Sequence, residues 1–460
     1  MIRSLLRPRS APTSLLFIAL LALAACTTPL IETPYVMVGP KGREIFAQTD
    51  PAFRTSDIPI LYVTDRAVDR ETERGPYYGY KRSKTIDFGV ATVGLSPEPT
   101  WDQLVADSTS LKRSRGYDKK LTKVEKLGEW QSTISWFQVR DGGFAPKEGV
   151  TQHLAEEQRN FEAALDRWLE HTDRKEAIVY VHGFANSFQD AIFRLSESWH
   201  FGGRKAVPIV FTWPAGSGGL LRGYTYDRES GEFAVVHLKM LLYALAKCPK
   251  IEKVHLISHS RGTDVATTAL RELNAEIRGI TGRSPFATLQ KGVVFDPSAE
   301  AFEQATPPWK LLKLETLVLA SPDLDLDVFI QRFFGENVIR AAHHVAIYFS
   351  KEDNALWWAE WLFEGRRRLG ALHVDDIPLE SRELLAKVNA LQLINCDVHA
   401  ESSHSYLFTH PAAFSDLLLL IRDDREPGAE NGRPLGKAGE AIWELPNDYL
   451  KKYAEEESKK

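Results

Sequence analysis

The sequence predicts an α/β protein whose central sheet is mostly parallel and is covered by helices on both faces. Short runs rich in β-branched and aromatic residues alternate with longer helical segments along most of the chain. The run "EAIVYVH" (176–182) is almost continuously apolar, which is typical of a parallel strand buried on both faces. The predicted strands are 58–66, 88–95, 176–182, 208–213, 254–260, 315–321, 344–350 and 391–395.

The predicted helices carry apolar residues at helical spacing. In the segment 153–171, apolar residues recur at intervals of three, one, three and one from Phe161 to Leu169. This spacing places them on one face of a helix. Further helices are predicted at 187–200, 229–247, 262–278 and 354–370. In alternating folds of this kind, ligands bind at the carboxyl ends of the strands. Polar residues at these strand ends are therefore candidates for a functional site.

The chain divides into four predicted segments. Residues 1–26 form a signal peptide, and residues 27–57, rich in Thr, Pro and Gly, form a tether. Residues 58–421 form the folded domain. Residues 422–460 are polar and charged, and we expect a peripheral C-terminal tail with one helix near 438–455.

The signal resembles that of a bacterial lipoprotein. Arg3, Arg7 and Arg9 precede the apolar run "SLLFIALLAL", which has about half of the ~20 residues that span a bilayer. It leads to "LAAC", with small residues at the cleavage point. The resemblance implies that Cys26 becomes the first residue and carries lipid such as palmitate; the alternative is an ordinary cleaved signal. We expect an exported, lipid-anchored protein, with Thr27 favouring the periplasmic side of the outer membrane.

Composition and charge exclude several classes of function. The formal charge of −5 gives no basic surface for nucleic acid. Apart from Cys26, the chain has only Cys248 and Cys396, and we expect both to be free and buried. No set of Cys, His and acidic residues has the spacing of a metal site, so neither a metal nor a cofactor is expected.

One short stretch, "VHLISHSRGTD" (254–264), predicts a nucleophile. Ser260 lies between a buried strand and an amphipathic helix, with Gly262 two residues after it and Ser258 two residues before it. A serine hydroxyl needs a base to remove its proton and donors to hold the oxyanion that forms. A sharp strand-to-helix turn between small residues exposes such a serine at the edge of a sheet.

Backbone groups near this turn are the predicted oxyanion donors. The N–H of Arg261 follows the nucleophile directly. A second N–H is expected from the loop "HGFANSFQDA" (182–191), from Phe184 or Ala185. Gly183 allows this loop to approach closely.

The base is expected downstream, because the strand-turn-helix nucleophile is followed in chain order by the acid and then the histidine. His404, in "SSHSYLF" (402–408), comes just past the last predicted strand. His399 and His410 are the competing histidines. His182 precedes the nucleophile and is expected to brace its loop.

The acid must orient the imidazole and stabilise its charged form. Asp353 follows the next-to-last predicted strand and is favoured. Asp323 and Asp325 follow the strand before it and remain alternatives. Each of them could instead cap a helix.

Eight blocks of sequence, taken in their order along the chain, resemble one bacterial family of α/β hydrolases, which is classified as domain of unknown function 900. The resemblance covers roughly residues 58–420 and implies an α/β-hydrolase fold with Ser260 as nucleophile and His404 as base. It implies no substrate. Ser258 and Arg261 depart from the family pattern, in which a smaller and an apolar residue are usual. The blocks are "VHGFANSFQDA", "VFTWPAGSG", "YDRESGEF", "ISHSRGTDV", "LVLASPDLDLDVF", "IYFSKEDNAL", "RRLG" and "SSHSYLF".

These expectations combine into a serine hydrolase, of carboxylesterase or lipase type, that cleaves a small-molecule or lipid ester through an acyl-enzyme. The alternatives are an amidase, a thioesterase or a lipid acyltransferase on the same triad. A further alternative is an inactive lipoprotein that uses the fold to bind proteins. Two long inserts, 279–313 and 371–390, are expected to cover the cleft.

Overall fold

A computed structural model describes residues 28–131, 136–140, 142–280, 307–362, 367–373, 391–397 and 404–458. The signal peptide with Cys26, the competing His399 and most of both inserts lie outside these residues. The strands are β1 (Ile58–Thr72), β2 (Gly75–Ser96), β3 (Asp118–Gln131), β4 (Phe137–Arg140), β5 (Gly143–Pro146), β6 (Glu176–Val181), β7 (Val207–Thr212), β8 (Lys253–His259), β9 (Leu314–Ala320), β10 (His344–Phe349), β11 (Leu391–Asn395), β12 (Gly436–Lys437) and β13 (Ile442–Glu444). The α-helices are α1 (Pro40–Ala47), α2 (Trp101–Ser108), α3 (Val150–Leu169), α4 (Phe188–Phe201), α5 (Leu220–Lys247), α6 (Gly262–Ile280), α7 (Pro308–Leu312), α8 (Leu326–Ile330), α9 (Asn354–Leu362), α10 (Tyr406–Thr409), α11 (Pro411–Ile421) and α12 (Tyr449–Glu457).

A single large sheet organises these elements. Its strand order is β12-β13-β11-β10-β9-β8-β6-β7-β1-β2-β3. From β13 across to β1, neighbouring strands are parallel, and antiparallel pairs occur only toward the two edges of this sheet among the described residues. The predicted mostly parallel α/β sheet is therefore confirmed.

The centre of the sheet is covered on both faces. Every residue of β7 and of β9 is buried, and successive residues of a strand point to opposite faces. Such strands are typical of sheets with helices on both sides. The apolar runs that predicted them reflect this double burial.

The first two strands are longer than predicted. β1 continues to Thr72 and β2 begins at Gly75, so the interval between the predicted strands forms a hairpin. Residues 68–72 are exposed. Because neither face of this part is buried, it lacks the alternation of apolar and polar residues that identifies a half-buried strand.

Residues 28–57, which were predicted to be part of a tether, fold onto the domain. Val36 and Met37 are fully buried, and the N–H of Val36 donates to Ser415 Oγ across 3.2 Å. Phe46 of α1 and Phe53 also pack into the core. The tether prediction is wrong for these residues, because isolated apolar side chains without a period can still anchor a segment.

The C-terminal segment is also part of the folded domain, so the prediction of a peripheral tail is wrong. β12 and β13 extend the sheet, and α12 begins at Tyr449. Arg433 is fully buried and donates two hydrogen bonds of 2.8 Å to Asp416 of α11. Charged residues gave the segment its tail-like composition, and pairing is what permits their burial.

Candidate active site

The turn between β8 and α6 has the predicted sharp geometry. Ser260 adopts φ = 54°, a left-handed conformation that costs a residue with a Cβ about 1–2 kcal/mol. Its N–H donates to the Ala320 carbonyl across 2.9 Å, and its carbonyl accepts from the N–H of Thr263 across 3.1 Å. These bonds hold the turn, and strain of this kind clusters at functional sites.

Two glycines make this turn possible. A Cβ on Gly262 would lie 2.3 Å from the His182 carbonyl oxygen, and one on Gly183 would lie 2.7 Å from Ser260 Cβ. Real Cβ atoms do not approach so closely, so α6 and the loop after β6 require glycine here. Ser258, at the other small position, is buried and donates to the Val318 carbonyl across 3.2 Å.

His404 lies beside the turn. The ring of His259, the residue before Ser260, is 4.9 Å from the His404 ring between centroids. Nε2 of His259 donates to the His404 backbone oxygen across 3.0 Å. Burial, followed by the His404 imidazole, lowers the pKa of His259 well below its usual value. His259 is therefore a neutral support that ties His404 to the turn.

The structure pairs His404 with Asp353. His404 Nδ1 donates to Asp353 Oδ2 across 2.7 Å, while Asp353 Oδ1 accepts from the N–H groups of Ala355 and Leu356 at the start of α9. The carboxylate is fully buried, and the imidazole is 23% exposed. One carboxylate thus caps a helix and holds the histidine through Nδ1.

The competing residues have other partners. Asp323 accepts from the hydroxyl of Tyr224 across 2.8 Å and lies 3.4 Å from Arg368 Nε. Asp325 caps α8. His410 accepts from the N–H of Ala412 at the start of α11.

Of the predicted oxyanion donors in the loop after β6, Ala185 is already engaged. Its N–H donates to Asp227 Oδ2 across 2.9 Å, and the same carboxylate accepts from the N–H of Gly216. This leaves Phe184 as the candidate from this loop, together with Arg261 beside the nucleophile. Sequence reasoning missed Asp227, although "YDRESGEF" was among the matching blocks.

His182 braces the loop from within the core. Its Nδ1 donates to the Gly183 carbonyl across 2.9 Å, and its Nε2 accepts from the N–H of Trp213 across 3.1 Å. Burial, followed by the Arg66 guanidinium, lowers the pKa of His182 to about 3. A histidine held neutral in this way positions Gly183 next to Ser260.

The guanidinium of Arg261 is bound to an acid that it shares with Arg332. Arg261 Nη2 donates to Asp264 Oδ2 across 2.7 Å, and Arg332 Nη1 contacts Asp264 Oδ1 across 2.5 Å. The side chain of Arg261 is only 11% exposed. Arg261 is therefore a largely buried side chain beside the nucleophile, and it is held by its neighbours.

Cys248 and Cys396 are free and buried, as predicted. Burial raises the pKa of both thiols, which disfavours the reactive thiolate. Among the helices of the described ranges, none is both long enough and apolar enough to cross a bilayer.

A protein family described as "Alpha/beta hydrolase of unknown function (DUF900)" matches residues 157–422. This range is more than half of the chain and contains Ser260, Asp353 and His404. It spans the parallel strands from β6 to β11. No curated protein and no solved structure matches the chain.

Proposed function

This chain belongs to the α/β-hydrolase family of unknown function, and from that membership we propose that it is a serine hydrolase that cleaves an ester through an acyl-enzyme. Ser260 is the nucleophile, His404 the base and Asp353 the acid. The observation that carries the proposal is the 2.7 Å contact between His404 and Asp353 at a turn where Ser260 has φ = 54°. A serine in a strained turn, near an imidazole that is bound to a buried carboxylate, supports the proposal because acyl transfer uses a nucleophile, a base and an orienting acid.

In the first half-reaction, Ser260 Oγ attacks the carbonyl carbon of the ester and its proton passes to Nε2 of His404. Asp353 stabilises the resulting imidazolium through Nδ1. The backbone N–H groups of Arg261 and Phe184 donate to the oxyanion. The intermediate then collapses, the C–O bond to the alcohol breaks, and the alcohol leaves with the proton from His404.

In the second half-reaction, water takes the place of Ser260 Oγ as nucleophile. His404 removes its proton, the acyl group leaves as a carboxylic acid, and Ser260 recovers its hydrogen. The guanidinium of Arg261 is bound to Asp264, so this side chain is held by its neighbours beside the nucleophile.

The proposed enzyme is exported and held at a membrane by lipid on Cys26. The short apolar signal run that ends in "LAAC" supports this part of the proposal. A palmitate analogue fed to expressing cells should label the wild type and the control Cys248→Ala, and it should not label Cys26→Ala. Equal labelling of Cys26→Ala would contradict a lipid at this residue.

A fluorophosphonate probe tests the nucleophile. Purified wild-type protein should be labelled, Ser260→Ala should not, and Ser110→Ala, which changes a serine after α2, should label like the wild type. If the wild type stays unlabelled beside a reacting serine hydrolase, an inactive lipoprotein becomes the better description. Ester, thioester and amide substrates, each with and without an added alcohol acceptor, then distinguish an esterase from the related enzymes.

A further inference from the structure

A second cluster of functional side chains lies at the amino ends of β9 and β10. One ligand atom from each of Glu315, His343 and His344 lies within 4.8 Å of the others. His343 Nδ1 is 3.0 Å from Glu315 Oε1. It is the one group of three or more His, Cys, Asp or Glu with metal-binding geometry in the part of the chain that the structure describes.

A further carboxylate lies beside the cluster. Glu426, in the segment after α11, places Oε1 3.6 Å from His344 Nδ1. Around a tetrahedral ion with bonds of about 2.0–2.2 Å, neighbouring ligand atoms are roughly 3.4 Å apart. The His343–Glu315 and His344–Glu426 separations lie on either side of this value.

The charges around the cluster favour a cation. Glu315, Glu426 and Asp424 are three carboxylates, and Lys253 is the ammonium group among them, 3.5 Å from Glu315 Oε1 and 3.6 Å from Asp424 Oδ2. The carboxylates outnumber this ammonium group by two, which favours a divalent cation. Asp424 also offers Lys253 an alternative partner when Glu315 binds metal.

The fold holds the ligands in place. Glu315 is buried in β9, and His344 pairs with Thr316 in the register of β9 and β10. The His343 ring stacks on Trp309 with centroids 4.2 Å apart. His343 and His344 nevertheless remain 43% and 21% exposed, so an ion can reach them from solvent.

We propose that Glu315, His343 and His344 bind one divalent transition-metal ion of the zinc class, with Glu426 as the fourth ligand. Paired imidazoles with carboxylates suit zinc, nickel or copper rather than magnesium or calcium. The ion joins the amino ends of β9 and β10 to the segment that follows α11. Its role is structural, because Ser260 lies beyond the opposite end of β8, about 20 Å away at ~3.3 Å per residue.

Zinc titration of the full chain, stripped of metal with EDTA and followed by calorimetry, tests the proposal. The wild type should bind one equivalent, and zinc should raise its melting temperature. His344→Gln and Glu315→Gln should each weaken binding at least about tenfold and lose the rise in melting temperature. His343→Gln, at the more exposed ligand, should weaken binding without unfolding the chain.

His153→Gln is the matched control, because His153 Nε2 lies 3.1 Å from Glu157 Oε1 but without a second imidazole. It should bind zinc like the wild type. Absence of zinc binding by the wild type would overturn the proposal. Zinc binding by His343→Gln and His344→Gln that is as tight as that of the wild type would also overturn it. Fluorophosphonate labelling of Ser260 in the same samples should be independent of zinc, so failure of the metal site and failure of the hydrolase site are separate results.

Discussion

His404 donates a 2.7 Å hydrogen bond to Asp353 across 51 residues of sequence. The two residues follow β11 and β10, which are parallel neighbours in the sheet. Parallel neighbours end at the same edge, so the loops that follow them meet there. Ser260 follows β8 at the same edge of the sheet.

Asp353→Asn should lower the rate of ester hydrolysis by roughly 10³–10⁴-fold, because an amide in this place cannot stabilise the imidazolium. The asparagine oxygen can still accept from the N–H groups at the start of α9, so the fold should persist. Steady-state kinetics with a chromogenic ester measure the change. Asp323→Asn is the comparison, and greater loss of rate there than in Asp353→Asn would assign the acid to Asp323.

Gly262→Ala should destabilise the chain by about 1–3 kcal/mol and abolish probe labelling. The added Cβ would lie 2.3 Å from the His182 carbonyl oxygen, so α6 must move away from the loop after β6. Urea unfolding and fluorophosphonate labelling report the two effects. Gly335→Ala is the matched control, since nothing lies within 4 Å of its new Cβ; a normal labelling rate in Gly262→Ala would contradict the required close approach.

Acid should destabilise the protein before its carboxylates titrate. Burial, followed by Arg66, lowers the pKa of His182 to about 3, and the pKa values of His200 and His259 are also lowered, first by burial. In the unfolded chain the pKa values of these imidazoles return to about 6.5. The unfolded state therefore binds more protons between about pH 3 and 6.5, and stability falls as the pH falls through that window.

Urea unfolding at a series of pH values from 7.5 to 5 measures this effect. In His182→Gln, the slope of unfolding free energy against pH should be shallower by up to about 1.4 kcal/mol per pH unit. Wild-type stability that is constant between pH 6.5 and 5 would contradict the buried neutral histidines.

Arg433→Leu should destabilise the chain by about 3–5 kcal/mol, because it leaves the Asp416 charge buried without its partner. Both side chains of this pair are fully buried. By contrast, Lys437→Gln removes an exposed pairing with Glu440 and should change stability by less than about 1 kcal/mol. Equal unfolding midpoints for the two variants would mean that the C-terminal segment does not contribute to the cooperative fold.

Local features of this protein can be predicted from its sequence. Continuous apolar runs marked the buried strands, because burial on both faces leaves no room for polar side chains. The order strand, serine, glycine, helix marked the turn at Ser260, because only small residues permit it. These signals depend on neighbours in the chain, so they can be recognised without the fold.

The contacts between distant groups depend on the three-dimensional fold. It joined Asp353 rather than Asp323 to His404, engaged the Ala185 N–H with Asp227, and gathered Glu315 with His343. It also packed residues 28–57 and the C-terminal segment onto the domain. Strand order and the pairing of buried charges govern these contacts, and neither leaves a period in the sequence.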